Sequence, residues 1–414
     1  MPSSNRRQSP SQQLTSHAPT TRALRLLLVH PSADMYGSDR MALATLRAAR
    51  EAGWETLTAT PVPGPFSDQL AAEQFRHVLI PSPVLRKSSL SPRGVVRLAV
   101  SALISTQPQL RLLRTYRPDL ILVNTITIPI WLLTARACRG ALVCHAHEAE
   151  TALSRPLQRL LTLPLVLADA IVCNSAATKD FITRAHAGLA SRCVVVANGV
   201  PTRHGEGIEL SVLTLENLAL VGRLSPRKGQ DVAIQALAQL VRQGRDVHLH
   251  LVGDCFPGYE WYESELRAMA DQLAVDQRVS FHGYLSDPSV IYDTCGIALV
   301  PSRVEPFGNV ALEAMAVGRP VIASRVQGLA DLVLDGDNGL LVEPGDSAAL
   351  SRAISRLIED PALAAKLASD GRTFVREGFS EEAYSARITT ALMDALTGRI
   401  ASVNRYGISH RSRR

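Results

Sequence analysis

Two glutamates, Glu305 and Glu313, bracket the core of the stretch PSRVEPFGNVALEAMA, residues 301–316. Between them lie Pro306, Phe307 and the pair Gly308-Asn309, where a loop gives way to a helix carried on by Val310, Leu312, Met315 and Val317. Seven residues separate the two carboxylates, so one falls on the loop and the other about a turn and a half inside the helix. The N–H groups of the first helical turn lie between them, unpaired within the helix and at its positive end. Free N–H groups favour an anion or a polar oxygen, and carboxylates accept hydrogen bonds from hydroxyls. Together they suit a ligand with many hydroxyls and some negative charge, such as a nucleotide sugar. A solvated helix with two surface glutamates has the same spacing, so the surroundings must separate the two readings.

Upstream, the apolar run Leu218–Val221 ends in Gly222-Arg223-Leu224, and Lys228-Gly229 precede a helix that continues through Val241. Arg223 and Lys228 at the mouth of a parallel strand can neutralise a diphosphate, although loop cations are also commonly solvated. Near the N-terminus, Arg25–His30 reads as a strand, a polar loop holds Gly37, and Arg40–Ala52 reads as a helix stopped by Gly53. Strand, glycine loop and helix N-terminus form a phosphate-accepting unit, but one glycine alone is a weak signal. The run ALVCHAHEAE, residues 141–150, puts His145 and His147 on one face of a strand. Two histidines could begin a metal site, yet no third ligand is near, and the six cysteines are scattered without a C-x-x-C pair. No metal is implied, and the thiols read as reduced core residues of a cytosolic protein.

Glu305-Pro306-Phe307-Gly308-Asn309 followed by Glu313-Ala314 resembles the signature of retaining, nucleotide-sugar-dependent glycosyltransferases of family 4. The strand before it, ending GIALVPS, and Gly318-Arg319-Pro320-Val321-Ile322-Ala323 after it continue the resemblance, which runs from about Arg25 to Glu382. It implies a GT-B fold and a donor gripped at its diphosphate by Arg223 and Lys228. In such a site Glu305 holds donor-sugar hydroxyls, Glu313 holds the ribose, and Phe307, Gly308 and Asn309 form the loop beside the donor. The base would lie along the backbone near Gly283-Tyr284, Gly37 beside the diphosphate or reaction centre, and His147, with His145 second, near the transferred sugar. His147 and Glu305 are the catalytic candidates. No metal and no cofactor is needed, since the nucleotide-diphosphate sugar is itself the substrate. The acceptor implied is a hydroxyl of a lipid-linked or polysaccharide molecule. Two positions depart from the pattern: Tyr36 stands where a second glycine is common, and Gln327-Gly328-Leu329-Ala330-Asp331 lacks one glycine and carries Asp331 for a glutamate. A non-catalytic nucleotide-sugar-binding protein and a GT-B nucleotide-sugar epimerase are the rival readings.

These residues need elements to bring them together. Strands alternate with helices through two successive halves, which calls for two doubly wound α/β domains facing a cleft, with ligands at the C-terminal ends of the strands. The expected divisions are a disordered tail 1–21, a first domain 22–204, a linker over Pro201–Ser211, a second domain 205–379, a crossover helix within 380–398 and a basic, frayed tail 399–414. At 414 residues each half can bury its own core. Through Gly205 the chain has 23 Lys+Arg against 11 Asp+Glu, and the remainder has 21 against 27. A basic first half suggests an anionic partner. Between the third and fourth strands, Arg86, Lys87, Arg93, Arg97, Arg111, Arg114 and Arg117 interleave with apolar residues, as suits a helix on an anionic membrane surface or an ordinary amphipathic helix. Only Tyr116 could stack on a base there, so nucleic acid is not the expected partner. No stretch is long and apolar enough to span a bilayer, and the N-terminus has no apolar signal core. The expected location is cytoplasmic, peripheral at the inner membrane face.

Overall fold

A computed structural model describes residues 22–85, 91–151, 153–202, 213–256, 258–285, 287–398 and 404–405. The tail 1–21, Arg86, Lys87, most of the expected linker, and 399–403 and 406–414 lie outside the described residues. The first domain holds strands β1 (Arg25–Val29), β2 (Glu55–Thr60), β3 (His77–Leu79), β4 (Leu120–Val123), β5 (Ala141–Ala146), β6 (Ala170–Cys173) and β7 (Cys193–Val196). The second holds β8 (Asn217–Val221), β9 (His248–Val252), β10 (Val279–Phe281), β11 (Ile297–Val300), β12 (Val321–Ser324) and β13 (Leu340–Val342). The segment read as frayed returns as β14 (Asn404–Arg405), pairing in parallel with Val195 and Val196 of β7. The two sheets run in the orders β14-β7-β6-β5-β4-β1-β2-β3 and β10-β9-β8-β11-β12-β13.

Every pairing is parallel. Parallel strands need crossover helices, which cover both faces, so the central strands are continuous apolar runs buried along their whole length. This is so for LILV in β4, AIVC in β6 and IALV in β11. In β1, Leu27 and Val29 enter one core with Trp131 and Ile121, while Leu26 and Leu28 enter the opposite one with Met41 and Leu46. The helix Glu381–Thr397 adds Tyr384, Ile388 and Leu392 to that second core, so the C-terminal helix does cross back onto the first domain. Its Tyr384 hydroxyl lies 2.6 Å from Thr45 Oγ1 on the helix Gly37–Glu51.

Strand order reverses direction between β4 and β1 in the first sheet and between β8 and β11 in the second. Loops leaving such a pair diverge and open a crevice at the carboxyl ends of the strands. The loop after β1 carries Asp34, Tyr36 and Gly37, that after β4 starts with Asn124, that after β8 carries Arg223 and Lys228, and that after β11 carries Glu305–Gly308. The chemistry-bearing residues therefore cluster because of topology. Within the basic stretch, Arg93, Arg97, Arg111 and Arg114 lie on one helix, Pro92–Tyr116, capped by Ser91 Oγ and containing Pro108. Among the described residues no helix is long and apolar enough to cross a membrane.

Candidate active site

Lys228 Nζ lies 2.5 Å from Glu305 Oε2, with both side chains largely buried. Arg223 points to the first domain, its Nη2 reaching Asp34 Oδ2 at 3.3 Å. Its guanidinium is stacked between two rings, 3.8 Å from the centroid of Tyr36 and 3.4 Å from that of Phe256. Glu313, in the second turn of the helix Asn309–Ala316, faces Arg40 of the first domain at 3.4 Å. Burial pushes its carboxyl above the ordinary carboxylate range, with Arg40 and Lys228 opposing. The four side chains singled out by type thus meet one crevice between the domains, and the first domain answers with Asp34, Tyr36 and Arg40.

The loop between the glutamates is built on glycines. Gly308 caps the helix at φ +120°, a backbone state that an L side chain rarely adopts. Gly328 packs beneath it, where a Cβ would come within 2.4 Å of the Pro306 carbonyl and 2.5 Å of Phe307 Cα. Asn309 takes a hydrogen bond on Oδ1 from Asn198 Nδ2 at 2.9 Å, and a Cβ on Gly37 would lie 3.1 Å from Asn309 Nδ2. Gly37 and Asn309 are therefore facing partners across the crevice. Gly283, at φ +66°, accepts from Gly253 N at 2.8 Å at the far wall. Phe307 lies on the loop expected beside the donor, and its side chain turns into the domain. Its ring is 3% exposed and packs in the second-domain core with Phe379, because the loop must anchor to hold its neighbours.

Gln327 explains one departure from the family pattern. It sits at φ +35°, in the region a glycine would take without strain. Its side chain accepts from Glu305 N at 2.9 Å and donates to Ala149 O at 3.3 Å and Thr151 Oγ1 at 3.2 Å. Those bonds tie the Glu305 loop to the first domain and offset the backbone cost.

The first-domain wall is a chain of polar side chains that the sequence reading only touched at His147. Asp39 Oδ1 accepts from His30 Nε2 at 2.7 Å and from Ser32 Oγ at 2.6 Å, while Oδ2 accepts from Tyr36 N. Burial raises the Asp39 carboxyl, but its interactions with His30, Ser32 and Tyr36 outweigh this and hold it below the usual range. Asn124 Nδ2 donates to Ser38 O at 3.2 Å and to His30 Nδ1 at 3.0 Å, and its Oδ1 lies 3.0 Å from His147 Nε2. A carbonyl can only accept, so Ser38 fixes the orientation of the Asn124 amide, and that amide in turn places the His147 proton on Nε2. Burial, with His145 and His30 nearby, keeps His147 well below the ordinary histidine range and hence neutral. The ring centroids of His145, near the end of β5, and of His147, the first residue after it, are 4.0 Å apart. His145 is fully buried, its pKa lowered to about 3 by burial, and His147 is the partly exposed member. Beside them Glu148, raised by burial, accepts from Thr125 Oγ1 and from the His147 amide. Among the described residues no group of three His, Cys, Asp or Glu side chains could hold a metal.

Residues 211–374 match the model of glycosyl transferases group 1, and residues 35–204 match that of glycosyltransferase family 4. The chain belongs to glycosyltransferase family 4. The family's GT-B architecture accounts for both sheets, the crevice and the returning helix. A lipopolysaccharide core biosynthesis glycosyltransferase of Rhizobium meliloti is 32% identical over 56% of this chain and 65% of its own length. The next two curated relatives, D-inositol 3-phosphate glycosyltransferases, are matched over 46% and 34% of theirs. The chain thus spans about half the length of the curated relatives it matches. Anabaena HepE, solved in complex with UDP-glucose, superposes with a TM-score of 0.74 at 25% identity over 90% of this chain and 100% of HepE. Sucrose-phosphate synthase from Thermosynechococcus elongatus shares the fold, with a TM-score of 0.73 at 22% identity over 90% and 99%.

Asp34, Arg40, Asn124, Asn198 and Gln327 were the members of this family's crevice that sequence reading did not assign. Each is a polar residue just past a strand end or in the first turns of a helix. That position was the available signal, and their partners come from the other domain or a distant strand.

Proposed function

We propose that the protein transfers a hexosyl unit from a nucleoside-diphosphate sugar to a hydroxyl of a lipid-linked or polysaccharide acceptor, with retention at the anomeric carbon. The observation that carries this reading is the meeting of Arg223, Lys228, Glu305 and Glu313 at one interdomain crevice. HepE, which binds UDP-glucose, supports a uridine donor, and the lipopolysaccharide relative supports a glycolipid acceptor. In this reading Arg223 and Lys228 take the diphosphate, aided by amides at the N-terminus of the helix Asn309–Ala316. Glu313 accepts from the ribose hydroxyls and Glu305 from those of the sugar. The bond between the anomeric carbon and the phosphate oxygen breaks through an oxocarbenium-like state, and the cations stabilise the charge that grows on the leaving group. The acceptor oxygen attacks on the same face and its proton passes to the departing phosphate. His147, neutral and with its Nε2 proton committed to Asn124, offers Nδ1 as an acceptor to a sugar or acceptor hydroxyl. No metal or further cofactor enters the scheme. Incubation with UDP-sugars and an extracted glycolipid acceptor, read as UDP release and anomeric configuration, tests this. Binding of donor without transfer or hydrolysis would favour a non-catalytic binding protein, and isomerisation of the donor without acceptor would favour an epimerase.

We further infer that the first domain docks on an anionic membrane through the helix Pro92–Tyr116. Leu103 is 78% exposed, and Val96 and Ile104 are each 64% exposed, so this is an apolar strip facing solvent. Arg93, Arg97, Arg111 and Arg114 are exposed on the same helix and suit a negatively charged surface. Flotation with vesicles containing anionic lipid should recover the protein and lose it on Leu103→Glu. Protein that stays in the soluble fraction would refute docking.

A further inference from the structure

Tyr36 is the one residue of the β1 loop that stands where the family commonly has a glycine, and its side chain leaves its own domain. Its ring covers one face of the Arg223 guanidinium at 3.8 Å, while Phe256 covers the other at 3.4 Å. Tyr284 meets the Tyr36 ring edge-on at a centroid distance of 5.7 Å. Tyr36 comes from the first domain and the rest of this cluster from the second. A guanidinium sandwiched between two rings keeps its N–H groups in the open plane between them, where an oxyanion can take two at once. The edge partner here is Asp34, half exposed and held by a single contact of 3.3 Å, which a phosphate can replace.

We propose that Tyr36 is a positioning residue for the diphosphate grip. By stacking on Arg223 across the crevice it fixes the guanidinium plane for a bidentate contact with the terminal phosphate of a nucleoside diphosphate, and it does so only when the two domains are together. The inference rests on the donor reading above and adds to it a residue of the first domain that decides how well the second domain binds its ligand. A long arginine side chain loses several rotors when it grips an anion, and ordering it beforehand removes that loss from binding. It also predicts a dependence on phosphate number, because the terminal phosphate is the group the stacked arginine meets.

Two measurements on the full chain test this, with UDP and UMP as probes. In ligand-free protein labelled at arginine, the Arg223 side-chain signals, assigned through Arg223→Lys, should be displaced by the ring currents of Tyr36 and Phe256. Tyr36→Phe should keep that displacement, and Tyr36→Ala should reduce it. By calorimetry, Tyr36→Ala should weaken UDP roughly 5- to 30-fold, the span of a partly desolvated cation–π contact, and UMP much less. Tyr36→Phe should stay within about threefold of wild type, and Phe256→Ala should reproduce the alanine effect from the other side of the sandwich. If wild type binds UDP and Tyr36→Ala binds it equally well, the proposal falls alone. Arginine signals that ignore Tyr36→Ala overturn it as well. If wild type binds no UDP, the donor reading falls and takes the proposal with it.

Discussion

Replacing Glu313 with glutamine separates what this carboxylate does for a ligand from what it does for the fold. Its side chain is 16% exposed, and its cation, Arg40, stands at 3.4 Å, long for a charge-assisted hydrogen bond. The ligand-free protein therefore buries a charge with loose compensation, which is why burial raises its pKa. A ribose offers two hydroxyls, each worth about 1.5–3 kcal/mol to a charged acceptor. Glutamine keeps one acceptor oxygen, so the expected loss is about 2–3 kcal/mol, or roughly 30- to 150-fold in UDP affinity at 1.4 kcal/mol per decade. The same change should leave the melting temperature of the ligand-free protein equal or higher, because it removes a desolvated charge. The sign with pH follows from the raised pKa. The folded protein binds this proton more readily than the unfolded chain, so ionised Glu313 is unfavourable to folding above its folded pKa. The stability gain of Glu313→Gln is then full above the folded-state pKa and vanishes as pH falls below the ordinary carboxylate range. Wild-type affinity for UDP should fall as Glu313 takes up its proton, above the pH expected of an ordinary glutamate, while the variant's affinity stays flat. Calorimetry over a pH series and thermal unfolding of both proteins decide it. Affinity within twofold of wild type would refute the ribose role, and a loss of affinity that tracks a lower melting temperature would refute the separation.

Gly328→Ala drives a methyl group into the Pro306 carbonyl and Phe307 Cα, so thermal unfolding should show a loss of about 1–3 kcal/mol and calorimetry a weaker grip on UDP. Asn124→Ala releases His30 and His147 from the orientation that Ser38 imposes. Steady-state kinetics should then show kcat down roughly 10- to 100-fold with UDP affinity little changed. In the wild type, His147 is held neutral by burial, so the rate should not fall as pH drops through about 6.5, and an acid limb there would contradict the depressed value. Tyr384→Phe removes the 2.6 Å contact to Thr45, whose hydroxyl still donates to Met41 O, and should lower stability by about 1 kcal/mol while leaving UDP affinity unchanged.

Strands such as LILV and IALV were legible because buried parallel strands leave no polar alternation to confuse them. Arg223, Lys228 and Glu305 were legible because each lies on the loop after such a strand, and Glu313 because it follows in the helix that this loop enters. Ends were less so: β5 stops at Ala146, where the sequence reading kept His147 in the strand, and His147 begins the loop. Phe307 could not be placed from sequence, since an aromatic in a glycine-bounded loop may face ligand or core, and only the position of Phe379 decides. Arg40 and Asp34 were hidden for a different reason. Their partners, Glu313 and Arg223, lie 273 and 189 residues away, and no local pattern encodes a contact between two domains. Gln327 was visible as a departure, but its three side-chain bonds reach both domains and needed coordinates to be seen.

The crevice is not an open basic hole, because each cation of the proposed grip already has a carboxylate. A diphosphate must take Arg223 from Asp34 and Lys228 from Glu305, and the two exchanges differ. Asp34 is half exposed and returns to water at little cost, as surface ion pairs are weak. Glu305 is 12% exposed, so losing Lys228 leaves a carboxylate in a largely dry site that now lacks a partner. The group that repairs this is the sugar, whose hydroxyls donate to the freed oxygens. Binding of the phosphates thus prepares the acceptor for the hexose, and a donor that brings both parts avoids a penalty that the bare nucleotide incurs. On this argument the intact donor should bind more tightly than UDP by more than its extra contacts with other residues explain. The difference should shrink in Glu305→Ala, which leaves no carboxylate for the sugar to satisfy. Equal discrimination in both proteins would show that Glu305 plays no part in recognising the sugar.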